Sequence, residues 1–407
     1  MFDSDRFYSK LGETFQPGVL TEVVLAAFEL AKQGKKLISL TGGSYDPKSF
    51  AIEPIKEIFS QATPSDWQEM LQYGSNTGSG RLKDELSGFM ASSGIKADAK
   101  SEIIVTTGSQ QALDLISRIF IDAGDVVVLG KPTYLQALSA FKQFGPEFGL
   151  VTVDDDGMNI DALEVELKRL SSEGKPPKMV YVVPSFDNPT GTILTEERRL
   201  RLLELAEEFD FLILEDNPYG YISFEGPMPT PIKGFDGSGR VLYMSTFSKI
   251  VSPGVRIGWV AARREFVSKM AEAKSNIDIC TDGLSQHVAA ELLRRGVVEK
   301  QMPYITDIYR KKRDIMLESM ESHFPREAEW NEPKGGLFIW VKLPERLNTT
   351  RMLKEAVQNG VGYIPGSNFF ADPTINNFLR LNYSYPSHED MVEGITILGR
   401  LLKNHLK

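Results

Sequence analysis

The sequence predicts an α/β protein whose main sheet is mostly parallel and covered by helices on both faces. Three observations carry that reading. Seven short apolar runs recur through the middle of the chain, at 103–105, 126–129, 148–153, 179–183, 211–214, 241–244 and 257–261. Helical patterns separate several of them, the alternation that builds a parallel sheet rather than a meander. Three of the runs, 179–183, 211–214 and 241–244, end in polar loops, and the carboxyl edge of a parallel sheet is where such proteins bind ligands.

Taken in order, the first helix is expected over 20–33, and the first strand over 103–105. The stretch 109–121 follows, with Ala112, Leu113, Ile116, Ile119 and Phe120 forming one apolar stripe at helical spacing. The runs at 126–129, 148–153, 179–183 and 211–214 are continuous enough for strands covered on both faces. Between the last two, Thr195 is a helix cap with Glu196 and Glu197 in the first turn. The strands 241–244 and 257–261 complete the set. A long helix is expected over 304–324, then strands over 335–343 and 378–383. No internal repeat, low-complexity tract or flexible linker interrupts this order.

Composition excludes whole classes of function. At 407 residues the chain is too long for one simple core, so two domains are expected. A net charge of −9 argues against a nonspecific nucleic-acid binder. No apolar run reaches membrane-spanning length, and Met1-Phe2-Asp3-Ser4-Asp5 lacks a basic and apolar signal pattern, so a cytoplasmic protein is expected. Cys280 is the only cysteine and is assigned to packing; a disulfide within the chain is impossible. The four histidines, His287, His323, His388 and His405, show no metal-ligand spacing, so no metal is expected. Gly130-Lys131-Pro132-Thr133 has Pro132 where a phosphate loop needs Ser or Thr, and is an ordinary loop leading to Tyr134.

The chemistry concentrates at strand ends. Ser245-Thr246-Phe247-Ser248-Lys249 follows a strand, with Arg256 seven residues on. A lysine amine forms a Schiff base with a carbonyl, while hydroxyls and an arginine suit a phosphate; pyridoxal phosphate has both groups. Asp216, ending the run before Asn217-Pro218-Tyr219, is placed to pair with a pyridine nitrogen and keep the ring an electron sink. Ser185-Phe186-Asp187-Asn188-Pro189-Thr190-Gly191 occupies a third strand end. Each motif alone is also consistent with a turn or a surface lysine.

Together, Asn188-Pro189-Thr190-Gly191, Asp216 with Tyr219, and Lys249 with Arg256 resemble the class I/II aminotransferases of fold type I in order and spacing. Thr107-Gly108-Ser109-Gln110-Gln111-Ala112-Leu113-Asp114 resembles that family's phosphate-binding turn. Tyr73-Gly74 with Gly78 and Gly80-Arg81-Leu82 resembles its loop into the neighbouring subunit. Pro333-Lys334-Gly335-Gly336-Leu337-Phe338 and Leu379-Arg380-Leu381-Asn382 resemble landmarks of its small domain. The nearest likeness is to the 2-aminoadipate, kynurenine and broad-specificity aromatic aminotransferases.

The resemblance implies a large domain over 46–303 with a mostly parallel seven-stranded sheet. It also implies a smaller α+β domain built from both chain ends: an arm and helix over 1–45, and the linking helix and C-terminal part over 304–407. It implies pyridoxal 5'-phosphate as cofactor, Lys249 as its attachment point and proton carrier, and Asp216 as the partner of its ring nitrogen. Asn188 and Tyr219 are implied at its phenolic oxygen and Tyr134 over its ring. Ser109, Gln110, Thr246, Ser248 and Arg256 are implied at its phosphate, with Tyr73 supplied by a second subunit; this makes the protein a homodimer with shared active sites. Gly42, Asn188 and Arg380 are the implied substrate-binding residues, Arg380 as the fork for an α-carboxylate. The substrates are then small amino acids and 2-oxo acids, with no nucleic acid or membrane partner.

One departure is Tyr45, within Thr41-Gly42-Gly43-Ser44-Tyr45-Asp46-Pro47, where the family commonly has proline. It either narrows the substrate pocket or faces solvent. The helix before it, over 18–31, lacks the arginine carried by members specialised for acidic side chains, which favours an apolar or aromatic donor. β-Elimination or decarboxylation on the same cofactor, and a non-enzymatic cofactor-binding sensor, are the alternatives to amino-group transfer.

Overall fold

The computed structural model describes residues 5–407 except 16, 228 and 373. The expected seven strands all form, in one sheet. In chain order the strands are β1 (Ile38–Ser39), β2 (Ile103–Thr106), β3 (Val126–Lys131), β4 (Glu147–Asp154), β5 (Gly157–Met158), β6 (Pro177–Val182), β7 (Leu212–Asp216), β8 (Val241–Thr246) and β9 (Gly258–Ala261). The C-terminal part adds β10 (Glu329–Trp330), β11 (Phe338–Lys342), β12 (Val361–Gly362), β13 (Ile364–Pro365) and β14 (Phe378–Asn382).

The large sheet has the order β2-β9-β8-β7-β6-β3-β4-β5. Strands β3, β4, β6, β7 and β8 run parallel, and β9 is antiparallel to both its neighbours. The eighth member corrects the expected count of seven: β5 is a two-residue strand that folds back antiparallel on β4. It is too short to leave a periodic signal, and Gly157, at φ +87°, lets the chain reverse after the acidic turn.

Side chains alternate across β6. Met179, Tyr181 and Val183 join the core shared with Phe141 and Leu214, whereas Val180 and Val182 face the opposite layer with Leu163 and Leu202. Helix Ser109–Phe120 buries Ala112, Leu113 and Ile116 as its pattern predicts. Helix Glu196–Glu208 starts at Thr195, whose side chain accepts from the Arg198 N–H.

The long helix begins earlier than expected, spanning Val297–His323 with Pro303 inside it. Proline lacks an N–H, so the sequence reads as a helix start there, although the preceding turn is already helical. A second sheet, β10-β11-β14-β13, carries Arg380 on β14. Its strand β11 starts at Phe338 rather than at the expected Gly335: a Cβ at Gly335 would stand 2.4 Å from the Phe186 ring, so this segment is given over to close approach. Near the N-terminus, helix Val19–Lys32 matches the expected one, and β1 pairs in parallel with β12. Of the N-terminal arm and signal-free start expected from the sequence, residues 1–4 lie outside the described residues. Among the described residues no helix is long and apolar enough to cross a membrane.

Candidate active site

Four chain segments converge at the carboxyl edge of the large sheet. Strand β8 ends at Thr246 and turns at once into the single 3-10 turn Phe247–Lys249, whose cap is the Thr246 hydroxyl accepting the Ser248 N–H at 3.1 Å. Strand β7 ends at Asp216. Strand β2 passes through Gly108 into helix Ser109–Phe120, which has no side-chain cap. The loop after β6 brings Asn188. Between them lies a cavity of about 430 Å³, lined by Ser109, Gln110, Tyr134, Asn188, Asp216 and Tyr219 and, from the turn after β8, by Thr246, Ser248, Lys249 and Arg256. Ten of the sequence-predicted residues therefore share one cavity.

One end of it is a cradle for an anion. The helix start at Ser109, without a side-chain cap, lines the same cavity as Thr246 and Ser248, and Arg256 Nη1 lies 3.4 Å from Ser248 Oγ. Two glycines make the approach possible. A Cβ at Gly108, where φ is +74°, would stand 2.4 Å from Arg256 Nη2, and one at Gly258 would stand 2.7 Å from the Ser109 nitrogen.

The other groups are set for a flat ring and an amine. Asp216 is buried; Oδ2 accepts from the Tyr181 hydroxyl at 2.8 Å and Oδ1 has no partner. Burial pushes its carboxyl up to about 7. Asn188 Nδ2 donates to the Tyr219 hydroxyl at 3.3 Å. Lys249 Nζ donates to the Gly43 carbonyl at 2.6 Å, and its pKa is pushed down to about 8 by burial, then by the charges of Arg380 and Arg256. A lysine so placed is partly unprotonated near neutrality, as a nucleophile and proton carrier needs.

Three predicted residues are not in the cavity wall. Arg380 lies buried behind it, stacked 4.0 Å over the Phe338 ring, with Nη1 donating to Asn188 Oδ1 at 2.8 Å and Nη2 to the Thr41 carbonyl. Burial pushes its pKa down to about 10. Gly42 is replaced at the wall by its neighbour Gly43. Tyr73 is 77% exposed, on a loop outside the cavity of its own chain. Tyr45 fits neither expectation: it is 1% exposed and packed against Phe50 and Tyr309, because its loop folds back onto the long helix.

Sequence reasoning missed Tyr181, Gly43, Leu20 and Gln136. Leu20, on helix Val19–Lys32, and Gln136 both reach the wall. Nothing local in the sequence marks them, since chain segments far apart meet here. Among the described residues there is no cluster able to hold a metal ion.

The family model for aminotransferase class I and II matches residues 35–398. The chain belongs to that family. It is 44% identical over 371 residues to aromatic-amino-acid aminotransferase 1 of Thermococcus litoralis, covering 91% of this chain and 89% of the relative. Its fold superposes on a kynurenine aminotransferase of Pyrococcus horikoshii, solved in complex with PMP, with a TM-score of 0.94 and 40% identity, over 100% of this chain and 99% of that one. An α-aminoadipate aminotransferase of Thermus thermophilus, complexed with N-(5'-phosphopyridoxyl)-L-leucine, follows at 0.90 and 31%, with the same coverage. The fold is thus fold type I, and the family's cofactor is pyridoxal phosphate. This aminotransferase has the donor set for it: an anion cradle kept open by Gly108 and Gly258, a buried carboxylate oxygen without a partner, and an amine lining the same cavity.

Proposed function

We propose that the protein moves the amino group of an aromatic, aliphatic or 2-aminoadipate-like L-amino acid to a 2-oxo acid such as 2-oxoglutarate, in two half-reactions at the Lys249 cavity. The observation that carries this is the convergence on one cavity of Lys249, Asp216 and the cradle of Ser109, Thr246, Ser248 and Arg256. When bound, pyridoxal phosphate supplies an aldehyde that takes up the amino group and a ring that draws electrons from the substrate's α-carbon.

The chain supplies the rest. Lys249 would hold the cofactor through its aldehyde and, once freed by the incoming amine, would serve as the base that moves a proton at the substrate α-carbon. Asp216 pairs with the ring nitrogen. Asn188 and Tyr219 would hydrogen-bond the phenolic oxygen, and Tyr134 would cover the ring. Ser109, Gln110, Thr246, Ser248 and Arg256 would hold the phosphate, joined by Tyr73 of a second copy, which would make the active unit a homodimer. The exposure of Tyr73 in the single chain supports that assignment. Arg380 would receive the α-carboxylate, with Asn188 beside it and Gly42 as a further substrate-binding residue.

Leu20 at the wall, and the absence of arginine from helix Val19–Lys32, support an apolar or aromatic side-chain pocket. The proposed domains are 46–303 around the cofactor, with 1–45 and 304–407 forming the smaller one; the β1–β12 pairing supports joining the two ends. We place the enzyme in the cytoplasm.

The test is an absorbance titration of the purified protein with a panel of amino acids, followed by 2-oxoglutarate. Conversion of the lysine-bound cofactor band to the pyridoxamine form by aromatic donors, and its return with the 2-oxo acid, is the expected result. Release of ammonia instead of a returnable amino group would mean elimination chemistry, and no band after adding pyridoxal phosphate would remove Lys249 from its role.

A further inference from the structure

The two oxygens of Asp216 stand in different situations. Oδ2 accepts the Tyr181 hydroxyl at 2.8 Å, while Oδ1 is buried without a partner. Tyr181 lies on β6, next to β7 and in register with Leu214, two residues before Asp216. It is 1% exposed and its ring meets Phe141 edge-on at 5.6 Å, so the hydroxyl has little freedom to turn elsewhere. Asp216 is its hydrogen-bond partner among the described residues. If Tyr181 served only to fill the core, phenylalanine would do so without a buried hydroxyl to satisfy.

The other groups facing Asp216 do not do this work. Asp187, from the loop beyond β6, repels its negative charge; Tyr134 and Tyr219 are neutral phenols; Lys249 shares the cavity but donates to Gly43. Burial and Asp187 both favour the protonated carboxyl, and the Tyr181 hydrogen bond opposes them.

We propose that Tyr181 is a positioning residue: its hydroxyl fixes the Asp216 side chain with Oδ1 free for the cofactor's ring nitrogen, and keeps the shared proton on that nitrogen rather than on the carboxylate. This rests on the aminotransferase reading of the cavity given above. Without the hydroxyl, the carboxyl holds its proton more tightly and the ring is a weaker electron sink.

The test is Tyr181→Phe, which keeps the ring and removes only the hydroxyl. In the cofactor-free protein, the carboxyl titration of Asp216, followed by NMR of carboxyl-labelled aspartate and assigned with Asp216→Asn, should move upward by about one pH unit. Pyridoxal phosphate should bind about tenfold more weakly by equilibrium dialysis. In the Asp216→Asn background, Tyr181→Phe should cause no further loss of affinity. An unmoved titration with unchanged affinity overturns the proposal, as does an equal loss in both backgrounds. If the unaltered protein binds no pyridoxal phosphate, the cavity reading itself falls, and that is seen before any variant is made.

Discussion

Lys249 Nζ donates to the carbonyl oxygen of Gly43 at 2.6 Å, tying the turn after β8 to a loop 206 positions earlier in the chain. The same loop presents the Thr41 carbonyl to Arg380. Lys249, proposed to hold the cofactor, and Arg380, proposed to hold the substrate, are therefore both tied to one short segment.

Gly43→Ala should damage turnover without unfolding the protein. Its Cβ would stand 3.2 Å from Lys249 Nζ and 3.1 Å from the Phe338 ring, forcing one or the other to shift by tenths of an ångström. Displacing the proposed proton carrier by that much should lower kcat on the order of ten- to a hundredfold. Stopped-flow measurement of the first half-reaction checks it; an unchanged rate would mean that the contact is incidental.

Arg380→Lys should raise KM for every amino donor by about tenfold or more, because an ammonium gives up the two-pronged grip proposed for the carboxylate. The guanidinium also lies over Phe338 and Phe369 and holds Asn188, so the variant disturbs the residue proposed for the phenolic oxygen too. Steady-state kinetics with phenylalanine and 2-aminoadipate should show the same proportional loss for both, since the α-carboxylate is common to them.

The Lys249 amine titrates near 8 because burial, and then the positive charges of Arg380 and Arg256, disfavour its protonated form. Removing a cation should therefore move that midpoint up. In Arg256→Gln the pH at which half the lysine reacts should rise, but not to the value of a free lysine, since burial is the larger cause. Pyridoxal is the appropriate probe, because it lacks the phosphate that Arg256 is proposed to bind. A midpoint that stays at its original pH would show that Arg256 exerts no field on the amine.

Lys312 on the long helix is 4% exposed and makes a 2.7 Å ion pair with Asp46, while also donating to the Ser384 and Pro386 carbonyls at 2.9 Å each. It clasps the 41–46 loop to the segment following β14. Lys312→Met strands a buried carboxylate and two carbonyls, which should cost about 3–5 kcal/mol in urea unfolding. Adding Asp46→Asn to that variant should recover part of the loss.

The residues that meet at the cavity were legible because their types and their places at strand ends coincide: Lys249 after β8, Asp216 ending β7, Asn188 after β6. The strands were legible for a similar reason, each being a continuous apolar run bounded by turn residues. What escaped depended on contacts between distant segments. Tyr181 sits in a strand with apolar residues on both faces, and nothing in that run says which side chain meets Asp216. Gly42 and Gly43 are adjacent glycines, and only the path of the loop selects the second. Tyr45 could be placed in neither of its expected positions because its burial depends on Tyr309, 264 residues away.

The cradle itself gives the sharpest contrast between two glycines. A Cβ at Gly258 would lie 2.7 Å from both the Ser109 nitrogen and the Gly108 carbonyl carbon, and backbone atoms cannot swing aside as a side chain can. Gly258→Ala must therefore push strand β9 away from the start of helix Ser109–Phe120, withdrawing N–H groups from the place where the phosphate is proposed to sit. A Cβ at Gly254, only four residues earlier, would meet nothing closer than Ser252 Oγ at 3.5 Å, an ordinary contact. Equilibrium dialysis should thus show pyridoxal phosphate bound at least about tenfold more weakly by Gly258→Ala, a loss of about 1.4 kcal/mol, and normally by Gly254→Ala. Pyridoxal, lacking the phosphate, should discriminate between the two variants much less. If both variants bind pyridoxal phosphate equally well, the close approach of β9 to the helix start does not shape the cofactor site.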